Sequence, residues 1–160
     1  GVVIILAKKS MLEKSPDALP TMFKYNTFLK KDSLYNTPPA FCIYMVGKTA
    51  AWIKKQGGLE EMAKRNRKKA DLLYSVIDAS NGFYNGHADK DSRSFMNVTF
   101  RLPTEELEKK FIAEALEHEL SGVKGHRSVG GMRASIYNAM PYEGVQALCD
   151  FMESFQKANG

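Results

Sequence analysis

The sequence predicts an α/β protein, and three observations in its second half lead to that class. Residues 95–102 alternate between apolar and polar side chains, which is the two-residue period of a half-buried strand. Residues 103–120 and 141–155 carry apolar residues at helical spacing, and each run begins close to a proline. Residues 134–139 alternate again, with Ala134 and Ile136 on one face and Arg133, just before them, on the opposite, polar face with Ser135 and Tyr137. A short strand is expected around 122–124. The order strand, helix, strand, strand, helix favours a small sheet with helices over one face.

The first 36 residues comprise an apolar run and a longer segment with few periodic positions. Residues 1–7 form an apolar, β-branched run that is typical of a buried strand. A buried strand needs neighbours on both sides, and the chain supplies few of them. We therefore expect this chain to be the C-terminal part of a longer protein. Residues 8–36 contain Pro16 and Pro20 as breakers, so we expect an irregular segment there.

Two helices are expected between these regions. Thr37 is a good N-cap residue, and the two prolines that follow it suit the first turn of a helix, which Gly57-Gly58 then ends. A longer helix is expected from about Leu59 to Ala79. Its basic run, residues 64–69, is interpreted as a solvated helix face. No aromatic residues interleave with that run, as binding to single-stranded nucleic acid would require.

Composition and charge set the broad class. A chain of 160 residues with 44% apolar and 26% charged residues suits one globular domain, or one domain and a piece of another. The net charge of +5 is spread along the chain, and no apolar run reaches membrane-spanning length, so neither nucleic acid nor a membrane is the expected partner. Cys42 and Cys149 lie far apart in apolar segments, which indicates free buried thiols in a reducing compartment such as the cytoplasm.

The segment from Gly125 to Arg133 is the strongest functional signal. His126, Arg127 and Arg133 surround a glycine pair that allows a sharp turn, and two guanidinium groups could bind the two anionic ends of one small substrate. The alternative is that these side chains are merely solvated. Asn36-Thr37, at a helix start, could bind a phosphate or simply cap the helix. The sequence contains no P-loop, metal-ligand cluster or nucleophile elbow, so no catalytic or metal-binding residue is predicted.

Three segments resemble the phosphoserine aminotransferases, which are class-V, fold-type I pyridoxal-phosphate enzymes. The segment from Ser33 to Pro39, followed by a helix that ends in Gly57-Gly58, is similar to the middle of that family. The segment from Ser92 to Val98 is similar to the strand that leads into its small domain. The segment from Gly125 to Ser135 resembles its C-terminal signature. The resemblance covers essentially the whole chain, in the correct order.

The resemblance implies roles for five residues. The arginine at the position of Arg133 binds the substrate α-carboxylate, and the pair that matches His126 and Arg127 binds the substrate phosphate. The pair that matches Asn36 and Thr37 contacts the phosphate of pyridoxal phosphate in the other subunit of a homodimer. The substrates implied are L-glutamate and 3-phosphohydroxypyruvate, which give O-phosphoserine and 2-oxoglutarate in serine biosynthesis.

The resemblance also implies a domain division and a missing residue. Residues 1–58 would be the end of the large cofactor-binding domain, 59–81 a connecting helix, and 82–160 the small α/β domain. The Schiff-base lysine of the family lies before the position of Gly1, so this chain alone is expected to be inactive. The alternative is a non-catalytic small domain that binds phosphorylated metabolites or acts as an interaction module.

Overall fold

The computed structural model describes all of residues 1–160, and the chain divides into two compact units, residues 1–55 and 56–160. The division into 1–58, 59–81 and 82–160 that the resemblance implies refers to the whole enzyme and stays a prediction. The helix that was expected to connect two domains lies in the second unit, because it packs against the helices and sheet of that unit.

The first unit is helical and has no buried residue. Its elements are α1 (Lys9–Leu12), a 3₁₀ turn (Thr21–Phe23), α2 (Tyr25–Leu29) and α3 (Ala40–Lys55). The segment predicted to be irregular therefore contains short helices. The strand predicted over residues 1–7 is wrong: this run pairs with no strand and its side chains are largely exposed. A strand forms only where a neighbour satisfies its backbone groups, and no other segment of the unit is extended beside it.

Helix α3 starts later than its predicted cap. Its first residue is Ala40, and the carbonyl of Pro39 accepts a hydrogen bond from the amide of Ile43 at 3.0 Å, so Pro39 takes the N-cap position predicted for Thr37. The reason is steric, because Pro39 disfavours the helical conformation at the residue before it. The helix ends at Lys55, close to the predicted glycine pair, and its apolar side chains are largely exposed.

The second unit contains the sheet and three long helices. Its elements are α4 (Gly58–Ala79), β1 (Asn85–Gly86), a 3₁₀ turn (Lys90–Ser92), β2 (Asn97–Arg101), α5 (Glu105–Glu117), β3 (Met132–Ser135) and α6 (Tyr142–Asn159). The sheet is antiparallel in the order β1-β2-β3. The strand β1 was not predicted. The strand expected around 122–124 is reduced to a single bridge between Lys124 and Met132, and β3 ends before the predicted residue 139.

The core lies between one face of this sheet and the helices. Val98 and Phe100 in β2, and Met132 and Ala134 in β3, point inward as their alternation predicts. Helix α6 contributes the predicted residues Val145, Leu148, Met152 and Phe155. Five aromatic rings pack edge to face or tilted at the centre: Tyr84, Phe100, Phe111, Phe151 and Phe155. Because successive side chains of a strand point to opposite faces, the face of the sheet away from the core carries the polar residues.

Two predicted surfaces are corrected by the packing. Lys69 belongs to the basic run that was interpreted as solvated, but it is buried against the end of β3. The helical spacing of apolar residues in the two segments that became α4 and α5 predicts Leu59 and Leu116 on apolar helix faces, but they are 78% and 65% exposed. Cys149 is buried as predicted, whereas Cys42 is only half-buried; both are free thiols. None of the helices has the length and apolar character required to cross a membrane.

A candidate anion-binding site

The loop that carries His126 and Arg127 is a compact turn closed by its own backbone. The amide of Gly125 donates to the carbonyl of Gly131 at 2.8 Å, and the amides of Val129 and Gly130 donate to the carbonyl of His126. Gly130 and Gly131 both have positive φ, which favours glycine. A Cβ atom at Gly125 would lie 2.1 Å from the Gly130 carbonyl oxygen, so the turn requires glycine at its base.

His126 is exposed, and its ring orientation is set inside the loop. Its Nδ1 lies 2.7 Å from Ser128 Oγ and accepts a hydrogen bond from the Ser128 amide at 3.3 Å. Because an amide can only donate, Nδ1 is the acceptor and the neutral ring carries its proton on Nε2. That leaves the Nε2–H group free to donate to an anion outside the loop.

Arg127 and Arg133 are cations that no carboxylate neutralises. Arg127 is exposed and makes no ion pair within the chain. Arg133 lies on β3 opposite Thr99 and points to the polar face, as its alternation predicts. It is half-buried, and its Nε is fully buried without a hydrogen-bond partner. Buried donors are nearly always satisfied, so this unpaired nitrogen is an exception, and the guanidinium group has no ion pair within the chain.

The polar face beside Arg133 contains a hydrogen-bonded cluster that the sequence reasoning did not identify. Asn97 Oδ1 accepts hydrogen bonds from Ser135 Oγ at 3.3 Å and from the Tyr137 hydroxyl at 3.1 Å. Asn97 and Ser135 are opposite each other in the β2–β3 ladder. The alternation of both strands places these side chains on the face of Arg133, but only the register brings them into contact. They extend the polar surface next to the unpaired guanidinium.

A second residue was missed at the end of β2. Arg101 Nη1 donates to the Val129 carbonyl at 2.9 Å, so a side chain from the neighbouring strand contacts the loop. The available signal was an arginine at the end of an alternating strand, 28 residues before the loop residue that it contacts. Nothing local in the sequence pairs the two segments.

A depression between two helices of this unit lies away from these cations. It has a volume of about 460 Å³ between α5 and α6, and it is lined by residues such as His118, Asp150 and Phe151. The ring centroid of His118 lies 5.3 Å from that of Phe151. None of the predicted site residues lines this depression. Arg133 lines a smaller one of about 220 Å³, together with residues such as Ser121 and Ser135.

Asn36 and Thr37 lie in the first unit, just before α3. Both are exposed, and Asn36 Nδ2 donates to the Thr37 carbonyl at 3.2 Å. The first amide of α3 with an acceptor four residues back is that of Ile43, and the Ala40 amide donates to the Pro38 carbonyl at 2.8 Å, so the amides of Phe41 and Cys42 are the ones available at the positive end of the helix dipole. A hydroxyl, a side-chain amide and free backbone amides together fit a phosphate group.

The chain is similar in sequence to known proteins. The sequence model of the family "Aminotransferase class-V" matches residues 1–148. The phosphoserine aminotransferase of Desulfatibacillum aliphaticivorans is 62% identical over 161 aligned residues, which cover 100% of this chain and 44% of that protein. The phosphoserine aminotransferase of Niallia circulans is 54% identical, again over 100% of this chain and 44% of the relative. The chain thus spans less than half the length of these relatives.

Solved structures agree with the sequence relatives. A phosphoserine aminotransferase from Bacillus circulans subsp. alkalophilus superposes with a TM-score of 0.89 at 56% identity, over 94% of this chain and 42% of that one. A phosphoserine aminotransferase from Trichomonas vaginalis with bound pyridoxal phosphate gives a TM-score of 0.83 at 37% identity, over 91% of this chain and 42% of that one. The predicted α/β class is confirmed as part of a fold-type I pyridoxal-phosphate transferase. With a family model that matches all but its last 12 residues, the chain belongs to the class-V aminotransferases.

Proposed function

We propose that these residues are part of a phosphoserine aminotransferase. The whole enzyme transfers an amino group between L-glutamate and 3-phosphohydroxypyruvate to give O-phosphoserine and 2-oxoglutarate, a step of serine biosynthesis in the cytoplasm. The observation that carries the proposal is the set of unneutralised cationic or donor groups on one loop and the adjoining strand, His126, Arg127 and Arg133. The names of the similar proteins support the same reaction.

In this proposal the three side chains bind different groups of the substrate. The Arg133 guanidinium binds the α-carboxylate that the amino donor and the acceptor share, since its planar fork matches a carboxylate. The Arg127 guanidinium and the free Nε2–H of His126 bind the phosphate of 3-phosphohydroxypyruvate or phosphoserine. Glutamate has a second carboxylate but no phosphate, so it depends less on the loop. The polar face around Asn97 orients the strand that carries Arg133.

The cofactor of the proposed enzyme is pyridoxal phosphate, and Asn36 and Thr37 would hold its phosphate. The free amides of Phe41 and Cys42, the Thr37 hydroxyl and the dipole of α3 are suited to that anion. In the proposed homodimer this pair serves the cofactor of the other subunit, so each active site is shared. Bound pyridoxal phosphate supplies the electron sink for the transfer. No residue of this chain is assigned as its Schiff-base lysine.

The proposal is tested with the full-length enzyme, loaded with cofactor, in a glutamate-dependent transamination assay. The acceptors are 3-phosphohydroxypyruvate and hydroxypyruvate, which differ only in the phosphate. A marked preference for the phosphorylated acceptor is expected. If neither acceptor is turned over, the proposed substrate is wrong. The 160-residue chain alone is expected to give no turnover above the non-enzymatic rate, and measurable turnover would contradict its proposed dependence on the missing lysine.

A further inference from the structure

The Arg101 side chain joins two segments that are distant in sequence. Its Nε donates to Glu108 Oε1 at 2.7 Å, and its Nη1 donates to the carbonyl of Val129 at 2.9 Å. Glu108 lies in the first turns of α5, and Val129 lies in the loop that carries His126 and Arg127. One guanidinium group therefore connects the start of a helix to the proposed phosphate-binding loop.

The helix side of this connection is rigid. Glu108 is only 8% exposed, and its Oε1 also accepts a hydrogen bond from the amide of Leu102 at 3.4 Å. A buried carboxylate is costly unless a cation and other donors satisfy it, so Glu108 holds the Arg101 guanidinium in one place. The planar fork of arginine then fixes the direction of its second donor toward Val129.

The loop side is fitted to the same guanidinium group. A Cβ atom at Gly130 would lie 3.1 Å from Arg101 Nη1, and a Cβ atom at Gly131 would lie 2.4 Å from Arg101 Cδ. The two glycines therefore let the backbone lie directly on the arginine side chain. Arg101 is the one side chain from outside the loop that donates a hydrogen bond to it. The base of the loop is held by backbone pairing, and its tip is held by Arg101.

We propose that Arg101, fixed by Glu108, is a positioning residue for phosphate recognition. This inference rests on the proposed function, because it needs the loop to bind the substrate phosphate. Arg101 fixes the position and orientation of the turn between Gly125 and Gly131 relative to the sheet. It therefore determines where Arg127 and the His126 Nε2–H group contact the phosphate. Arg133 lies on the strand beyond the loop and is held by the sheet, so carboxylate binding does not depend on this contact.

The test uses the full-length, cofactor-loaded enzyme and compares KM for three substrates. Arg101→Met keeps the aliphatic stem but removes both hydrogen bonds. It is expected to raise KM for 3-phosphohydroxypyruvate by about tenfold or more, the equivalent of one charge-assisted hydrogen bond. KM for glutamate and for hydroxypyruvate should stay within about twofold of the wild-type values, and so should kcat, since a change of that size corresponds to well under one hydrogen bond.

Two further variants separate positioning from a general loss of structure. Glu108→Gln keeps the shape of a residue that is too buried to reach a phosphate, and it is expected to raise the same KM by a smaller factor. Arg101→Lys retains the charge but cannot span both contacts, so an intermediate KM is expected. Both variants keep side chains that can hydrogen-bond, which preserves the test if Arg101→Met does not fold.

The matched control is Arg93→Met, which breaks a bidentate pair with Asp78 remote in sequence from the loop. All three KM values should stay unchanged in this variant. Equal increases in KM for glutamate and 3-phosphohydroxypyruvate in the Arg101 variants, or no increase, would overturn the inference. If the wild-type enzyme itself does not distinguish the phosphorylated acceptor, the proposed function fails instead, and the two failures are distinguishable.

Discussion

The Nζ atom of Lys69 donates a hydrogen bond to the carbonyl oxygen of Tyr137 at 2.7 Å, from the middle of α4 to the residues just after β3. The same ammonium group also donates to the carbonyls of Ile136 and Met140. Lys69 is only 2% exposed, and its burial lowers the pKa of the side chain. One buried charge thus holds the turn that follows the strand of Arg133 and satisfies three carbonyl groups.

Lys69→Met is therefore expected to destabilise the second unit. The substitution keeps most of the aliphatic volume but leaves buried carbonyl groups without a donor, which costs on the order of 2 kcal/mol or more. Thermal unfolding of the chain followed by circular dichroism measures the change. Lys64→Met is the control, because Lys64 lies on the exposed side of the same helix. An equal loss in both variants would show that the buried contacts contribute nothing.

The ion pair between Asp78 and Arg93 gives a pH dependence with a definite sign. Two hydrogen bonds from Arg93, at 2.8 and 2.6 Å, lower the pKa of the Asp78 carboxyl below its usual value of 3.8. A folded-state pKa below the unfolded value gives a stability contribution that is present above the unfolded pKa and is lost as the pH falls through the folded pKa.

Asp78→Asn should accordingly lower the free energy of unfolding at neutral pH by about 0.5–1 kcal/mol, because the pair is partly exposed. The difference between wild type and variant should be constant above about pH 5 and should shrink below about pH 4. Urea unfolding at a series of pH values measures it. A difference that grows toward acid pH would contradict the assignment.

The two cysteines should differ in reactivity. Burial raises the pKa of the Cys149 thiol to about 12, with Asp150 and Glu153 adding to the shift, whereas Cys42 is only half-buried. The thiolate is the reactive form, so iodoacetamide at about pH 8 should modify Cys42 and spare Cys149 in the native chain. Mass spectrometry of the peptides measures the extent of modification at each cysteine. Both thiols should react in guanidinium chloride, and equal native rates would show that α6 opens readily.

Arg133→Ala should weaken the binding of both the amino donor and the acceptor in the full-length enzyme. Each proposed substrate has an α-carboxylate, and a charge-assisted hydrogen bond from Arg133 to it would contribute about 1.5–3 kcal/mol. KM for glutamate and for 3-phosphohydroxypyruvate should therefore each rise by about tenfold or more. Steady-state kinetics with each substrate varied in turn measures this. An increase for only one of the two would show that Arg133 does not bind the shared group.

Periodicity predicted much of the second unit because its elements bury one regular face. The alternation in β2 and β3 correctly placed Phe100 and Ala134 inward and Arg133 outward, and the helical spacing in α6 correctly predicted Leu148 and Phe155 as core. These patterns are local, since a two-residue or 3.6-residue period is set by the backbone alone.

The contacts between distant segments could not be predicted in this way. The burial of Lys69 depends on carbonyls 67 to 71 residues away, and the position of the loop depends on an arginine in the neighbouring strand. At Val3–Leu6 a local prediction is wrong for lack of a tertiary contact. The composition of this apolar run predicts a strand, but no partner strand lies beside it. Composition gives the preference of a segment, and tertiary pairing decides whether that preference is realised.

The proposed binding of the substrate phosphate by the loop of His126 and Arg127 is tested most directly by Arg127→Ala in the full-length enzyme. The quantity to measure is the ratio of kcat/KM for 3-phosphohydroxypyruvate to kcat/KM for hydroxypyruvate, with KM for glutamate as an internal control. The ratio should fall by about tenfold or more, since a charge-assisted contact to the phosphate is lost, while KM for glutamate stays nearly unchanged. An unchanged ratio would contradict the assignment of the loop to the phosphate.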